Sequence, residues 1–373
     1  MSTNPRIYLD FNATAPLGAH VRAAMAQAMA DPGNPSSIHA EGRRARDHVE
    51  RARDHVARLA GRPREQVVFT SGGTEGNVLG VLGLAAVAEG RGYPRIIASA
   101  AVDHPSLRGA VAALVARGWQ LRPIGVTRAG ALEVGSLAGA GLVAIAAVNH
   151  ELGTIADPQI VVAARAAGAL VHVDAVQAAG KTPLAMLDAD ALVISAHKLG
   201  GPQGVGAVAI THDAGLPLIE AGHQERGRRP GTENALGIVG FGAAAAGADI
   251  ASWPTVAALG DRLEAGLRAI PGVRIHGAGT PRIGGTVNAG FAGARGESIV
   301  IALDLAGIAV STGAACTSGS IQPSPVLLGL GLSADEAREA VRFSLGRSTT
   351  ADEIDLVLER LPAIVARARA HPT

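Results

Sequence analysis

The chain of 373 residues is 48% hydrophobic and 17% charged, which excludes wholesale disorder and leaves room for two domains. Its formal net charge of +1 gives no electrostatic basis for binding nucleic acid directly or for binding an anionic membrane surface. The chain has one cysteine, Cys316, and two lysines, Lys181 and Lys198, so no disulfide can form within it and a cytoplasmic location is expected.

Neither a signal peptide nor a membrane span is expected. The first ten residues, Met1–Asp10, contain no basic region followed by an apolar run. The longest apolar run, Ala235–Ala248, is shorter than the roughly 20 residues that a bilayer requires. Because this run is rich in glycine and alanine, we predict a closely packed internal helix.

Between about residues 67 and 210, short β-branched runs alternate with longer alanine-rich stretches. The predicted strands are Val67–Thr70, Arg95–Ser99, Leu142–Val148, Leu170–Val173, Ala191–Ser195 and Val205–Ile210. The predicted helices are Glu75–Ala88, Ser106–Arg117 and Pro158–Ala167. Apolar strands separated by helices imply a mainly parallel sheet covered on both faces. After about Ser252, helices separated by short strands and glycine-rich turns indicate a second domain that packs on the first.

A lysine follows one of the predicted strands. The strand Ala191–Ser195 leads through His197 to Lys198, and ligands of such sheets bind beyond the carboxyl ends of the strands. Desolvation there would lower the pKa of the amine and let it form a Schiff base. A surface lysine in a loop is equally compatible with this position. The other lysine, Lys181, is expected to be a surface residue.

A carboxylate ends the preceding predicted strand, at Asp174. Packing explains an aspartate poorly at the end of the apolar run that begins at Leu170. Pyridoxal phosphate requires a carboxylate at its ring nitrogen and a lysine for covalent attachment, and Asp174 and Lys198 end successive predicted strands. The alternative is an aspartate that caps a helix.

A glycine-rich turn, Thr70-Ser-Gly-Gly-Thr-Glu, joins a predicted strand to a predicted helix. Free N–H groups and the helix dipole would favour a phosphate there. The turn lacks the Gly-Lys-Ser/Thr of a Walker motif. Thr74 and Glu75 are also compatible with ordinary helix capping.

The single cysteine lies among small and polar residues, in Ser311-Thr-Gly-Ala-Ala-Cys-Thr-Ser-Gly-Ser. Structural cysteines usually behave as small hydrophobic residues of apolar strands and helices. A lone cysteine between Gly313 and Gly319 is more typical of an exposed nucleophile.

Nine motifs, in order along nearly the whole chain, resemble those of the cysteine desulfurases of the nitrogen-fixation and iron–sulfur-assembly type, which are grouped with the class V aminotransferases. The motifs are Tyr8-Leu-Asp-Phe-Asn-Ala-Thr-Ala-Pro, Gly33-Asn-Pro-Ser-Ser-Ile-His, the Thr70 turn, Val148-Asn-His-Glu-Leu-Gly-Thr, His172-Val-Asp-Ala-Val-Gln, Ser195-Ala-His-Lys, Gln224-Glu-Arg-Gly-Arg-Arg-Pro-Gly-Thr-Glu-Asn, the Cys316 segment and Val341-Arg-Phe-Ser-Leu-Gly-Arg.

The resemblance implies the α/β fold of the type I transferases that depend on pyridoxal phosphate. A large domain, residues 15–255, would hold a mainly parallel seven-stranded sheet between helices. A smaller α+β domain would combine residues 1–14 with residues 256–373 and supply Cys316 and Arg342. The resemblance also implies a homodimer with shared active sites.

The roles of the family's residues are implied where the motifs match. Lys198, Cys316 and His104 would be catalytic; Lys198 would hold the cofactor covalently and His104 would stack on its ring. Asp174 would pair with the ring nitrogen and Gln177 with the phenolic oxygen. The other implied contacts are those of Asn149 with cofactor and substrate, of Gly73, Thr74, Ser195 and His197 with the phosphate, of Thr232 with the phosphate of the neighbouring subunit, and of Arg342 with the substrate carboxylate.

The implied reaction converts L-cysteine to L-alanine and leaves the sulfur on Cys316 as a persulfide, which then passes to an acceptor for iron–sulfur cluster or other sulfur-cofactor biosynthesis. The Cys316 segment is of the long type, which favours delivery to a scaffold protein. No metal site is implied beyond a transient iron–sulfur contact through Cys316. The family usually has an asparagine shortly after the Thr-Glu pair of the Thr70 turn, where this chain has Gly76-Asn77-Val78. This departure leaves the local polar contacts undetermined.

Two other functions remain as alternatives. An aminotransferase for small amino acids would explain Lys198 and Asp174 but leave Cys316 without a role. A protein that keeps the fold as a non-enzymatic scaffold would bind no cofactor and would not be yellow.

Overall fold

The computed structural model describes residues 6–211, 221–313 and 322–371. In these ranges the strands are β1 (Ile7–Tyr8), β2 (Val67–Thr70), β3 (Ile96–Ala100), β4 (Gln120–Ile124), β5 (Leu142–Ala146), β6 (Leu170–Asp174), β7 (Ala191–Ser195), β8 (Gly206–Ile210), β9 (Val273–His276), β10 (Thr286–Phe291), β11 (Ile308–Ala309) and β12 (Ala340–Ser344). The α-helices are α1 (Ala19–Met29), α2 (Ala40–Ala60), α3 (Gly73–Gly90), α4 (Pro105–Val115), α5 (Gln159–Ala166), α6 (Ala235–Ala246), α7 (Trp253–Arg268), α8 (Gly296–Leu305), α9 (Pro325–Gly329), α10 (Ala334–Arg338) and α11 (Ala351–Ala370).

Seven strands form one sheet, in the order β2-β8-β7-β6-β5-β3-β4. Neighbouring strands run parallel except at β8, which is antiparallel to both β2 and β7. The strands from β5 to β8 are buried along their whole length, because helices cover both faces of the sheet. The predicted fold class, α/β with a mainly parallel seven-stranded sheet and a smaller α+β unit, is confirmed.

Each face of this sheet builds its own apolar core, since successive strand residues point to opposite faces. Leu142 packs on the side of α3 and α4, whereas Val143 packs on the side of α2 and α6. The predicted closely packed helix is α6: a Cβ added to Gly242 would lie 2.6 Å from the Cα of Ala52 in α2. The small residues of the apolar run therefore let two helix backbones approach closely.

The later elements build a smaller antiparallel sheet, in the order β12-β10-β9, with α7 and α8 packed against it. The N-terminal segment joins this part of the molecule. Its strand β1 pairs parallel with β11, and the amide of Phe11 donates to the carbonyl of Ser344 at 3.1 Å. The domain boundaries predicted near residues 15 and 255 stay a prediction.

The edge strand β4 was not predicted from the sequence. Three of its five residues are exposed, and Pro123 lies within it. Proline is tolerated on an edge strand because one side of that strand needs no ladder hydrogen bond. A strand of this kind lacks the continuous apolar run that identifies the buried strands of the same sheet.

By length and apolar composition, no single helix of the described residues qualifies as a membrane span. The helices Ala235–Ala246 and Ile250–Arg268 pass the same test only as a pair, which is bent by 56° at its break.

Candidate active site

A cleft of about 620 Å³ opens at the carboxyl ends of β5, β6 and β7. Its walls come from the N-terminal segment, from the large sheet and from β12. Its volume lies in the range of roughly 300–1,000 Å³ that is usual for small-molecule sites. The predicted site residues that line it are Gly73, Thr74, His104, Asp174, Gln177, Ser195, His197, Lys198 and Arg342.

Asn149 lies behind the wall of the cleft and does not line it. Its Oδ1 accepts from the amide of Glu151 at 2.9 Å, and its Nδ2 donates to the carbonyl of Val102 at 2.9 Å. These bonds fix the turn that carries His150 and Glu151, which do line the cleft. The structure therefore gives Asn149 a role in shaping the turn, and its contact with cofactor and substrate stays a prediction.

Thr232 and Cys316 are the remaining predicted site residues. Thr232 is exposed on the surface of the chain. Cys316 lies outside the described residues, which end at Gly313 and resume at Gln322. Both Gly313 and Gln322 line the cleft.

Lys198 ends a single helical turn that follows β7 directly. Its amine donates to the backbone carbonyls of Asn12 at 2.5 Å and Ala13 at 2.7 Å. Burial and, to a smaller extent, repulsion from Arg342 lower the pKa of Lys198 to about 8, although the carboxylates of Asp10 and Asp174 oppose the shift. About half of the amine is thus uncharged at pH 8, which is the form that attacks a carbonyl group.

Asp174 is held by a residue that the sequence prediction left open. Its Oδ1 accepts from the amide of Val176 at 3.0 Å, and its Oδ2 accepts from Nδ2 of Asn77 at 2.8 Å. Because a carboxylate only accepts, the NH₂ of Asn77 faces Asp174 and its oxygen faces Nε2 of His172, at 3.0 Å. Burial lowers the pKa of His172 to about 3, so this buried ring is neutral.

Asn77 lies one helical turn after Thr74 on the face of α3 that lines the cleft. Although Gly76-Asn77-Val78 departs from the family's pattern, Asn77 still makes a polar contact with Asp174. The i,i+3 spacing from Thr74 is the sequence signal that could have identified Asn77. The network from His172 through Asn77 fixes the direction of the Asp174 carboxylate. A carboxylate held in this way fits the protonated ring nitrogen of pyridoxal phosphate.

The amino end of α3 lines the cleft at Gly73 and Thr74. Gly72 has φ 155° and ψ −176°, a conformation that residues with a side chain rarely adopt, and it brings free N–H groups of the helix start to the cleft. The hydroxyl of Ser195 is buried there and has no hydrogen-bond partner among the described residues. An unpaired buried hydroxyl beside a helix start fits a phosphate group.

Two histidines, His104 and His150, lie next to each other in the lining of the cleft. Nδ1 of His104 accepts from the amide of Ser106 at 3.2 Å, so a neutral His104 carries its proton on Nε2. The ring of His150 lies edge-on to it, with 5.0 Å between centroids. Burial holds the pKa of His150 well below its usual range, and His104 and Arg342 add repulsion. The sequence prediction missed His150.

Arg342 on β12 is only 5% exposed. Its Nη2 donates to Oδ1 of Asp10 at 2.8 Å and its Nη1 donates to the carbonyl of His150 at 3.1 Å. Its Nε has no partner among the described residues. Arg342 lines the cleft, and a buried guanidinium there with an unpaired donor fits a ligand carboxylate.

The prediction that Lys181 is a surface residue is wrong. Its amine points inward, donates to Oε1 of Gln177 at 3.0 Å and to Oδ1 of Asn12 at 3.3 Å, and lies 5.2 Å from the ring centroid of Trp253. The turn after β6 places Lys181 one turn beyond Gln177, and the N-terminal segment covers both. That cover comes from residues far away in the sequence, which local pattern does not reveal.

Comparisons with known proteins identify the family to which the chain belongs. The profile of the family Aminotransferase class-V matches residues 7–357. Cysteine desulfurase 2 of Trichormus variabilis is 41% identical, with 98% of this chain and 94% of the relative covered. A solved NifS-like protein superposes with a TM-score of 0.87 at 31% identity, covering 97% of this chain and 100% of its own. A structure of SspA in complex with cysteine gives 0.79 at 26% identity, covering 91% and 98%.

Proposed function

Because the chain belongs to the Aminotransferase class-V family, we propose that it is a cysteine desulfurase that holds pyridoxal phosphate on Lys198 and takes up sulfur on Cys316. The predicted activity, enzyme class and cofactor are confirmed by this membership and by a cysteine desulfurase relative at 41% identity over nearly the whole chain. The observation that carries the residue assignments is that Lys198, Asp174 and Arg342 face one cleft.

The cleft offers a partner for each polar group of pyridoxal phosphate. Ser195 and the start of α3 would hold the phosphate, Asp174 the ring nitrogen and Gln177 the phenolic oxygen. When bound, the cofactor supplies an electron sink for the charge that develops at the substrate Cα. The protein fixes the directions of Asp174 and Gln177 before the cofactor arrives, because both side chains have backbone or side-chain partners of their own.

Two residues of the cleft would handle L-cysteine itself. Arg342 would bind the substrate carboxylate through its guanidinium fork, in the geometry that arginine favours for carboxylates. Once released from the cofactor, Lys198 would take the proton from the substrate Cα. A pKa of about 8 suits this task, since an amine near its titration point can accept a proton and give it back.

Cys316 would react as its thiolate, the nucleophilic form of cysteine, and would attack the sulfur of the substrate. A sulfur–sulfur bond forms as the bond between Cβ and sulfur of the substrate breaks, and that electron pair stays with the carbon product. The product takes up protons and leaves as L-alanine. The persulfide on Cys316 then transfers its outer sulfur to an acceptor, which we propose is a scaffold protein for iron–sulfur cluster or other sulfur-cofactor assembly.

We further propose that the enzyme is a homodimer in which Thr232 reaches the cofactor phosphate of the partner. The segment before Thr232 is firmly anchored: both carboxylate oxygens of Glu225 accept from the buried Arg53 at 2.7 Å. Glu225 and Arg226 both hold a left-handed backbone, with φ of 48° and 59°. Such a conformation persists only where surrounding contacts hold it. An exposed Thr232 on an anchored segment supports an intersubunit contact.

Substitution of the cysteine tests this function. Cys316→Ala is expected to abolish the formation of alanine and sulfide from L-cysteine, because the nucleophile is lost. The yellow absorption of the bound cofactor is expected to remain, because the cofactor contacts lie elsewhere. Both products are measured in the presence of a thiol that releases persulfide sulfur.

Retention of sulfide release at the wild-type rate by Cys316→Ala would refute the assignment of Cys316. Amino transfer to a keto acid by the wild-type protein, without sulfide, would instead favour a small-amino-acid aminotransferase. A protein that stays colourless after addition of pyridoxal phosphate would favour the non-enzymatic scaffold.

A further inference from the structure

Lys181 has no role in the function proposed so far, yet its amine lies within a chain of hydrogen bonds that ends at Lys198. Lys181 donates to Oε1 of Gln177 at 3.0 Å, and Nε2 of Gln177 donates to the backbone carbonyl of Asn12 at 3.0 Å. The same carbonyl accepts from the amine of Lys198 at 2.5 Å. We call these four residues the Lys181 network.

The chemistry of a protonated amine fixes the direction of two side-chain amides in this network. Such an amine donates and cannot accept. The oxygen of Gln177 must therefore face Lys181, which leaves its NH₂ on the side of the Asn12 carbonyl. The oxygen of Asn12 faces Lys181 in the same way, at 3.3 Å, and its NH₂ donates to Oγ1 of Thr286 at 3.0 Å.

We propose that Lys181 is a positioning residue that turns the NH₂ of Gln177 towards the phenolic oxygen of the cofactor and holds the Asn12 carbonyl against Lys198. The inference rests on the proposed binding of pyridoxal phosphate. Without Lys181, the Asn12 carbonyl alone would favour this orientation of the Gln177 amide. A flipped amide would present its oxygen, which would repel the phenolic oxygen instead of binding it.

The charges around Lys181 make its titration a sensitive report on these contacts. Burial, together with the positive charges on Lys198, Arg342 and Arg347, lowers the pKa of Lys181 to about 7. Hydrogen-bond acceptors such as those of Gln177 and Asn12 favour a charged amine over a neutral one. A bound cofactor adds the negative charge of its phosphate to the cleft and favours the protonated, donor-only form.

The first experiment uses the full chain without cofactor. Lysine labelled with ¹³C at Cε gives two lysine signals, because the chain has two lysines, and the signal lost in Lys198→Ala identifies Lys198. In Gln177→Met the pKa of Lys181 is expected to fall by about one unit, because the charged amine loses an acceptor. An unchanged titration of Lys181 in Gln177→Met would overturn the proposal.

The second experiment follows the cofactor absorption of the loaded enzyme against pH. Donation from Gln177 draws charge from the phenolic oxygen, so the nitrogen that joins Lys198 to the cofactor releases its proton at lower pH. Lys181→Met is therefore expected to raise the midpoint of the absorption change by about one pH unit. Lys181→Arg keeps a donor-only cation and is expected to retain the wild-type midpoint.

A double-mutant cycle shows whether Lys181 acts through Gln177. If it does, Lys181→Met shifts the midpoint in the wild-type background and adds little in Gln177→Met. An equal shift in both backgrounds would mean that Lys181 acts by its charge alone and would overturn the proposal.

A matched control and an independent readout keep the outcomes separate. Arg262→Met removes a long cation that pairs with Asp355 on the surface, and it is expected to change neither titration. Should Lys181→Met not fold, the cofactor-free titration of Gln177→Met still decides the inference. Should the protein bind no cofactor, the proposed function fails, while that titration still reports on the Lys181 network.

Discussion

The turns after β6 and β7 each carry one of the two lysines, and the two amines have different kinds of partner. Lys198 donates to backbone carbonyls, which stay in place when the amine reacts. Lys181 donates to the side chains of Gln177 and Asn12, whose directions depend on it. Two neighbouring amines with lowered pKa values can thus serve different purposes, one to react and the other to orient.

Loss of the reactive amine should have the largest effect. Lys198→Ala is expected to lower the rate of alanine formation from L-cysteine by at least about 10³-fold, because the variant loses both cofactor attachment and the general base. The assay measures alanine, and the yellow absorption is recorded alongside. The contrast between the two turns would break down if Lys181→Met lost as much activity as Lys198→Ala.

The pH dependence of cofactor capture should sharpen the same contrast. Only an uncharged amine attacks the cofactor aldehyde, and the pKa of Lys198 is lowered from 10.5 to about 8, chiefly by burial. The rate at which the cofactor-free protein gains its yellow absorption should therefore rise about tenfold from pH 7 to pH 9 and then level off. A rate that keeps rising steeply beyond pH 10 would show that the amine of Lys198 has its ordinary pKa.

The sequence predicted most of the large sheet and most of the cleft because the signals there are local. The strands β5, β6 and β7 could be recognised by their continuous apolar runs, and each of them ends at the cleft. Asp174 and Lys198 were found by their position at strand ends, since an aspartate or lysine after an apolar run has few packing explanations. Because neighbouring parallel strands end at the same edge of the sheet, the residues at their carboxyl ends come close together in the fold.

The parts that the sequence did not reveal depend on contacts between distant residues. The bond from Asn77 to Asp174 spans 97 residues, and the bond from Lys181 to Asn12 spans 169. Periodicity and motif spacing carry no information at such separations. The edge strand β4 was missed for a different reason, since a half-exposed strand lacks the apolar run that marks its buried neighbours.

The most direct test of the proposed function is to determine which of the two lysines holds the cofactor. Borohydride reduction of the yellow enzyme fixes the cofactor to its lysine, and peptide mapping by mass spectrometry then locates it. With two lysines in the chain, there are two possible sites. The added mass is expected on the peptide that contains Lys198, with the peptide of Lys181 unmodified. Cofactor on Lys181, or on neither peptide, would contradict it.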